Sequence, residues 1–290
     1  MDKKHPDEIR TVVRKKYGEV AKSDSRGCCT PASSCCGEPA IPLDNLGTLI
    51  GYSQKELSGV PEGANMGLGC GNPVAVASLR PGETVVDLGS GGGFDCFLAA
   101  KAVGGTGKVI GVDMTPDMVS KARSNAEKIG AVNVDFRLGE IENLPIADNT
   151  ADIIMSNCVI HLSPEKLKVY REAFRVLKPG GRLAISDVVT TAPLPAEIRN
   201  DLTLVGACVG GAATIDDTEA LLPKSGQIPR ERFRQGEPLR AYLLKVDRET
   251  SGPEIILSRT DTGIVRKLLE FEVPETSEGM AVIREVAEAA

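Results

Sequence analysis

Val85-Val86-Asp87-Leu88-Gly89-Ser90-Gly91-Gly92-Gly93-Phe94-Asp95 is the stretch whose reading decides the fold. An apolar, β-branched run enters a glycine-rich turn, and an amphipathic segment follows. Glycines let the chain turn tightly from strand to helix and leave backbone amides open to a ligand at the helix N-terminus. Asp113 closes the next apolar run, where an acid can take both ribose hydroxyls of an adenosine. A bare glycine loop is a weak signal. Strand, loop, helix, strand and acid in that order form a stronger one.

Outward from the loop, apolar runs predict strands at 84–88, 108–112, 132–138, 151–157 and 182–189. Helical spacing falls at 94–103, 116–129, 164–177 and 195–207. Continuous apolar strands alternating with helices imply a parallel sheet covered on both faces, hence a doubly wound α/β fold. Lys178-Pro179-Gly180-Gly181 reads as the turn that ends one helix and feeds the fifth strand. Before the sheet, Ile9, Val12, Val13, Tyr17 and Val20 predict a helix over 7–22. Residues 23–48 read as a Ser-, Gly-, Pro- and Cys-rich loop. Ser53 and Glu56 fit a capping box that opens a second short helix.

The loop differs from the G-x-G-x-x-G of nicotinamide-nucleotide sites. Its spacing is G-x-G-x-G, with Asp87 two residues ahead, placed to meet a cationic ammonium or to fix the loop. Gly139-Glu140-Ile141-Glu142-Asn143-Leu144-Pro145 follows the third strand, and Ser156-Asn157-Cys158 ends the fourth. Both lie at carboxyl ends of strands, where open sheets bind ligands. The whole resembles the class I S-adenosylmethionine-dependent methyltransferases. That resemblance implies a Rossmann-like sheet and a cofactor site of Asp87, Gly89, Ser90, Gly91, Gly93, Asp113, Met114, Glu140, Ile141 and Asn157.

The chain has eight cysteines. Cys158 ends the fourth strand, Cys208 ends the helix after the fifth, and Cys70 sits in a loop ahead of the sheet. All three can reach the same sheet edge. The segments PEGANMGLGCGNP (61–73), SNCVIHLSPEK (156–166) and ACVGGA (207–212), with the loop carrying Cys28-Cys29, resemble the arsenite methyltransferases over residues 7 to about 215. The resemblance implies Cys158 and Cys208 as arsenic ligands and Cys70 as a third thiol for binding or redox turnover. It also implies arsenite as substrate and a thiol reductant of glutathione or thioredoxin type. Trivalent arsenic is soft, so thiolates displace its hydroxides. Ligated arsenic keeps a lone pair, and its attack on a sulfonium methyl needs no base. Cys96 reads as a small buried hydrophobe. Cys28-Cys29 and Cys35-Cys36 read either as a capture or redox segment or as a spectator loop, since vicinal pairs do not match a zinc knuckle. His161 stands where the family is expected to carry an amide such as Asn, and reads as a local hydrogen-bonding residue.

Composition bounds the rivals. Two histidines leave little room for a hydrolase triad or a His-rich metal site, and a net charge of -6 argues against a phosphate-backbone partner. A charged N-terminus without an apolar core and the lack of any run of about 20 apolar residues predict a cytoplasmic protein with no membrane span. Thiols stay reduced there. The expected species is a monomer. A small-molecule C- or O-methyltransferase would need a base, and only His161 offers one. A thiol-rich metal-binding protein without turnover remains a second alternative.

Composition breaks near residue 215, which all eight cysteines precede. We read residues 1–72 as a helical, Cys-rich cap, 73–215 as the methyltransferase domain and 216–290 as a foreign tail. Segments 219–223, 227–234 and 252–260 resemble the later part of the OB-type RNA-binding domain of transcription factor NusA, and 268–287 the segment leading onward. The earlier barrel strands are missing and aromatics are few, so nucleic acid is an unlikely partner. Strands over 240–246 and 254–259 predict a hairpin closed by Asp247–Pro253, followed by a helix holding Ile264, Leu268, Leu269 and Phe271. That hairpin is expected to replace the missing edge of the sheet.

Overall fold

Five short apolar runs become five parallel strands, the central three of them buried on both faces, where backbone groups can be paired only with neighbouring strands. The computed structural model describes residues 5–22, 43–221, 242–247 and 254–258. The chain forms two compact units, Met1–Gln227 and Ile228–Ala290.

The first unit opens with α1 (Pro6–Lys22), α2 (Leu43–Leu49), α3 (Gln54–Ser58) and α4 (Pro73–Val76). It continues through β1 (Thr84–Leu88), α5 (Phe94–Val103), β2 (Lys108–Asp113), α6 (Pro116–Ile129), β3 (Val134–Leu138) and β4 (Ala151–Asn157). After a 3-10 turn at Ile160–Leu162 come α7 (Lys166–Val176), β5 (Leu177–Ser186), β6 (Val189–Thr190), α8 (Ala196–Arg199), α9 (Leu202–Gly206), β7 (Ala213–Thr214) and α10 (Ile215–Leu221). The sheet order is β3-β2-β1-β4-β5, all parallel, with β1 at the centre. One face buries Val85, Phe97, Val109, Phe136, Ile153 and Met155, and the other buries Val86, Leu88, Ile110, Ile154, Tyr170 and Val176. Chain reversal between β1 and its neighbours on either side opens a crevice at the carboxyl ends, the topological switch point.

The doubly wound reading holds, with local corrections. Residues 43–49 form α2 within the stretch read as a loop. Lys178-Pro179-Gly180-Gly181 lies inside β5, where the pairing with β4 slips between Ala151 and Ile153 and Gly180 takes a φ of 79°. The extra residues bulge out without ending the strand. The helix expected over 195–207 breaks at Asn200–Asp201, because the Asp201 side chain accepts from the Thr203 and Leu204 amides and starts α9 anew. The capping box of Ser53 and Glu56 is present as read.

In the second unit, β8 (Tyr242–Asp247) and β9 (Glu254–Ser258) pair antiparallel as the expected hairpin. They form a two-stranded sheet of their own. The helix expected around Leu268 lies outside the described residues, as do most of the segments resembling NusA. No described helix is long and apolar enough to cross a membrane.

Candidate active site

The turn from β1 into α5 works because Gly89 takes a φ of 71° and a Cβ there would run into Val159. Gly93 closes the turn in the left-handed region as the N-cap of α5. Beyond the loop lies a cleft of about 1210 Å³, open to solvent. Asp87, Gly89, Ser90, Gly91, Asp113, Met114, Ile141, Asn157 and Cys158 are among the residues that line it. Gly93 stays behind the wall. Glu140 is also not on the wall, since its carboxylate turns to Arg14 at 3.1 Å and Arg10 at 3.5 Å. Glu142, buried two residues on, lines the cleft instead and accepts from Ser163 Oγ at 2.5 Å.

The donor set suits an adenosine with a cationic end. Asp113 accepts the Thr115 amide on Oδ1 at 2.8 Å and the Gly91 amide on Oδ2 at 3.0 Å. Each oxygen keeps acceptor capacity for a ligand hydroxyl. Ser90 Oγ is buried without a hydrogen-bond partner and belongs to a residue of the wall. Asp87 and Asp95 are buried together on the same wall. Burial and mutual repulsion push the Asp87 carboxyl well up from its ordinary range, and burial pushes Asp95 up to about 6. Two carboxyls that resist ionising alone accommodate a cationic ligand.

Asp95 gives a pH prediction. Its folded pKa lies above the unfolded value of 3.8, so the folded state holds the extra proton and stability falls as pH rises through about 6. Between pH 4.5 and pH 7.5 the loss amounts to about 2 kcal/mol, since about a third of the full change of about 3 kcal/mol has already occurred by pH 4.5, and Asp87 and Asp113, shifted the same way, add to it. Chemical denaturation of the ligand-free chain at pH 4.5 and pH 7.5 should show this decline. Asp95→Asn should flatten it by roughly that amount.

Cys158, Cys208 and Cys70 come together. Cys158 lies beside both of the others, and their proximity together with burial pushes its pKa far up. Cys70, whose Sγ donates to Ser186 O at 3.6 Å, is held below the ordinary thiol range by the neighbouring Cys158 thiol. It is therefore the thiol of this pair that ionises first. Cys158 and Cys208 are non-glycine residues with φ of 59° and 64°. Such backbone costs energy and collects at functional sites. Cys28, Cys29, Cys35 and Cys36 lie outside the described residues. Cys96 is fully buried as expected, and it also donates its S–H to Asp87 at 3.1 Å.

Asn157 ties the thiols to the cofactor wall. Its Oδ1 accepts the Cys70 amide at 3.0 Å, while Nδ2 reaches Gly71 O at 2.8 Å, Asp95 Oδ2 at 3.0 Å and Tyr52 Oη at 3.0 Å. Tyr52 donates to Asp95 at 2.6 Å. A Cβ on Gly69 would stand 2.7 Å from Asn157 Nδ2, so the loop docks this closely only through glycine.

Helix α1 covers one side of the cleft. Arg10 is buried and pairs with Glu165 at 2.6 Å and Glu142 at 3.3 Å, and Tyr17 Oη lies 3.6 Å from Cys208 Sγ. Arg10→Ala should destabilise the chain by about 3 kcal/mol, since it strands the Glu142 carboxylate in a buried site. A urea midpoint unchanged from the native chain would refute this. Sequence reasoning missed Arg10, Tyr52, Asp95, Glu142 and Asp187.

Fold and site together define a class I S-adenosylmethionine methyltransferase fold. The chain belongs to the methyltransferase domain family, whose profile matches residues 79–237. It is 48% identical over 233 residues to the arsenite methyltransferase of Halobacterium salinarum, an alignment covering 76% of this chain and 58% of that one. It is 37% identical to the arsenite methyltransferase of Homo sapiens, over 77% of this chain and 59% of that one. The crystal structure of an arsenic(III) S-adenosylmethionine methyltransferase from Chlamydomonas reinhardtii matches with a TM-score of 0.50 and 38% identity, covering 63% of this chain and 61% of that chain. The chain thus spans about three fifths of the length of the curated relatives it matches.

Proposed function

We propose that this chain binds S-adenosylmethionine in the cleft and methylates trivalent arsenic held by Cys158, Cys208 and Cys70. The observation that carries the reading is the convergence of these three thiols, of which Cys158 lines the cleft. Asp113 would hold the ribose hydroxyls, and the Gly89–Gly93 turn would leave room for the cofactor. Asp87 and Asp95 would face its cationic end. When bound, the cofactor supplies an electrophilic sulfonium methyl. The thiolates exclude water from the arsenic and leave it a lone pair, so no side chain has to remove a proton. Catalysis then rests on holding the two reactants together. Two thiols can return the oxidised product to the trivalent state by closing a disulfide, which a glutathione- or thioredoxin-type reductant reopens.

The acting species in this reading is a cytoplasmic monomer serving arsenic detoxification, with residues 1–72 as cap, 73–215 as catalytic domain and 216–290 as a separate tail. The test is arsenic speciation after incubating the full chain with arsenite, S-adenosylmethionine and a thiol. Methylated arsenic supports the proposal. Consumption of the cofactor on a carbon or oxygen acceptor, with arsenite unchanged, would sink it.

A further inference from the structure

Within the thiol cluster, one group has no task in methyl transfer to arsenic. His161 is buried, and its ring nitrogen Nε2 has no hydrogen-bond partner. The ring is not loose. Nδ1 is in a short hydrogen bond with Asp187 Oδ1, and the His161 amide donates to Asp187 Oδ2 at 3.1 Å. Asp187 is itself fixed by the Val188 amide at 2.7 Å. A carboxylate bound at Nδ1 fixes the orientation of the ring and directs Nε2 away from it. The ring sits among sulfurs, since a ring nitrogen of His161 and the sulfurs of Cys158 and Cys208 lie within 4.8 Å of one another.

We propose that Cys158, Cys208 and His161 form a binding site for a thiophilic divalent cation of the zinc and cadmium class, with Asp187 as the carboxylate that orients the histidine. Two sulfurs and an imidazole select soft and borderline cations over magnesium or calcium. In a tetrahedral zinc site such atoms stand roughly 3.7 Å apart, so the set closes by about 1 Å at most. Two thiolates neutralise the ion, and the buried Nε2 gains the partner it lacks. Loading releases the thiol protons and any proton on His161 to solvent. Cys70, beside Cys158, is on hand for the fourth position. The ion and trivalent arsenic would compete for Cys158 and Cys208. The inference goes beyond arsenic chemistry and does not rest on it, since an amide at position 161 would serve the thiols equally well but could not complete this ligand set.

The test titrates Co²⁺ alone into the reduced full chain and into a variant with Cys28, Cys29, Cys35 and Cys36 all changed to Ser. Both should bind one ion with thiolate charge-transfer absorption and tetrahedral d–d bands. Asp187→Asn should weaken binding by about 10–100-fold. His161→Asn should weaken it further and change the d–d bands, and His161→Gln guards against a fold lost through one substitution. Wild-type affinity and spectrum in both folded His161 variants would overturn the proposal. So would loss of binding in the four-serine variant. The readout uses no arsenic, so failure of the arsenic reading leaves it intact.

Discussion

Changing Cys158 to serine should reduce arsenic methylation by more than about 100-fold while leaving S-adenosylmethionine binding intact. Cys158 is the sulfur that neighbours both Cys70 and Cys208. Without it the remaining thiols lose their common neighbour and the arsenic loses the ligand nearest the cofactor wall. A hydroxyl is no substitute, since it is hard and does not ionise near neutral pH. The backbone argument separates chemistry from folding. Position 158 has a φ of 59°, and serine bears that strain about as cysteine does, so thermal stability should change little. Cofactor affinity from calorimetry and arsenic products from the same preparation decide the matter. Methylation within a few-fold of the native rate, with arsenite bound as before, would remove Cys158 from the reaction.

Where the sequence could be read and where it could not follows from how far apart the interacting residues lie. β1, α5, β2, α6 and β4 match their expected spans closely, because periodicity, capping and glycine chemistry act over a few residues. The misreadings were also local. A bulge absorbed Gly180 and Gly181 into β5, and the Asp201 cap split one expected helix into α8 and α9. The thiols were found by resemblance between segments, which says nothing of their distances. Asp95 and Tyr52 carry no motif. One lies on a helix and the other precedes one, and only packing brings them to Asn157. His161 is the instructive case. A lone histidine after a strand reads as a minor hydrogen-bonding residue, and its link to Asp187 spans 26 residues. Glu140 and Glu142 show the reverse problem. Both fit the spacing after β3 and both pair with Arg10, and only packing distinguishes them, since it buries Glu142 at the cleft and leaves Glu140 to Arg14.

Asp113→Ala should lower S-adenosylmethionine affinity by about 100-fold or more, measured by calorimetry on the full chain. The carboxylate ends β2 beside the glycine turn, and each oxygen already accepts one backbone amide. Two ligand hydroxyls would complete it, each contributing about 1.5–3 kcal/mol as a bond to a charged acceptor. Every 1.4 kcal/mol is tenfold in affinity, so losing both costs two orders of magnitude or more. The alanine variant also orphans the Thr115 and Gly91 amides, at about 1–3 kcal/mol for each that stays buried, so part of the affinity loss could come from a disordered turn. Asp113→Asn separates the two. It keeps the size of the side chain and one acceptor oxygen, so the turn keeps one of its two anchors. It loses the charge and the symmetric pair of acceptors that two vicinal hydroxyls need. If the asparagine variant melts near the native temperature yet binds the cofactor about tenfold or more weakly, Asp113 acts on the ligand directly. If its affinity is native and only the alanine variant fails, Asp113 is a brace for the loop, and the ribose contact must be sought on another residue.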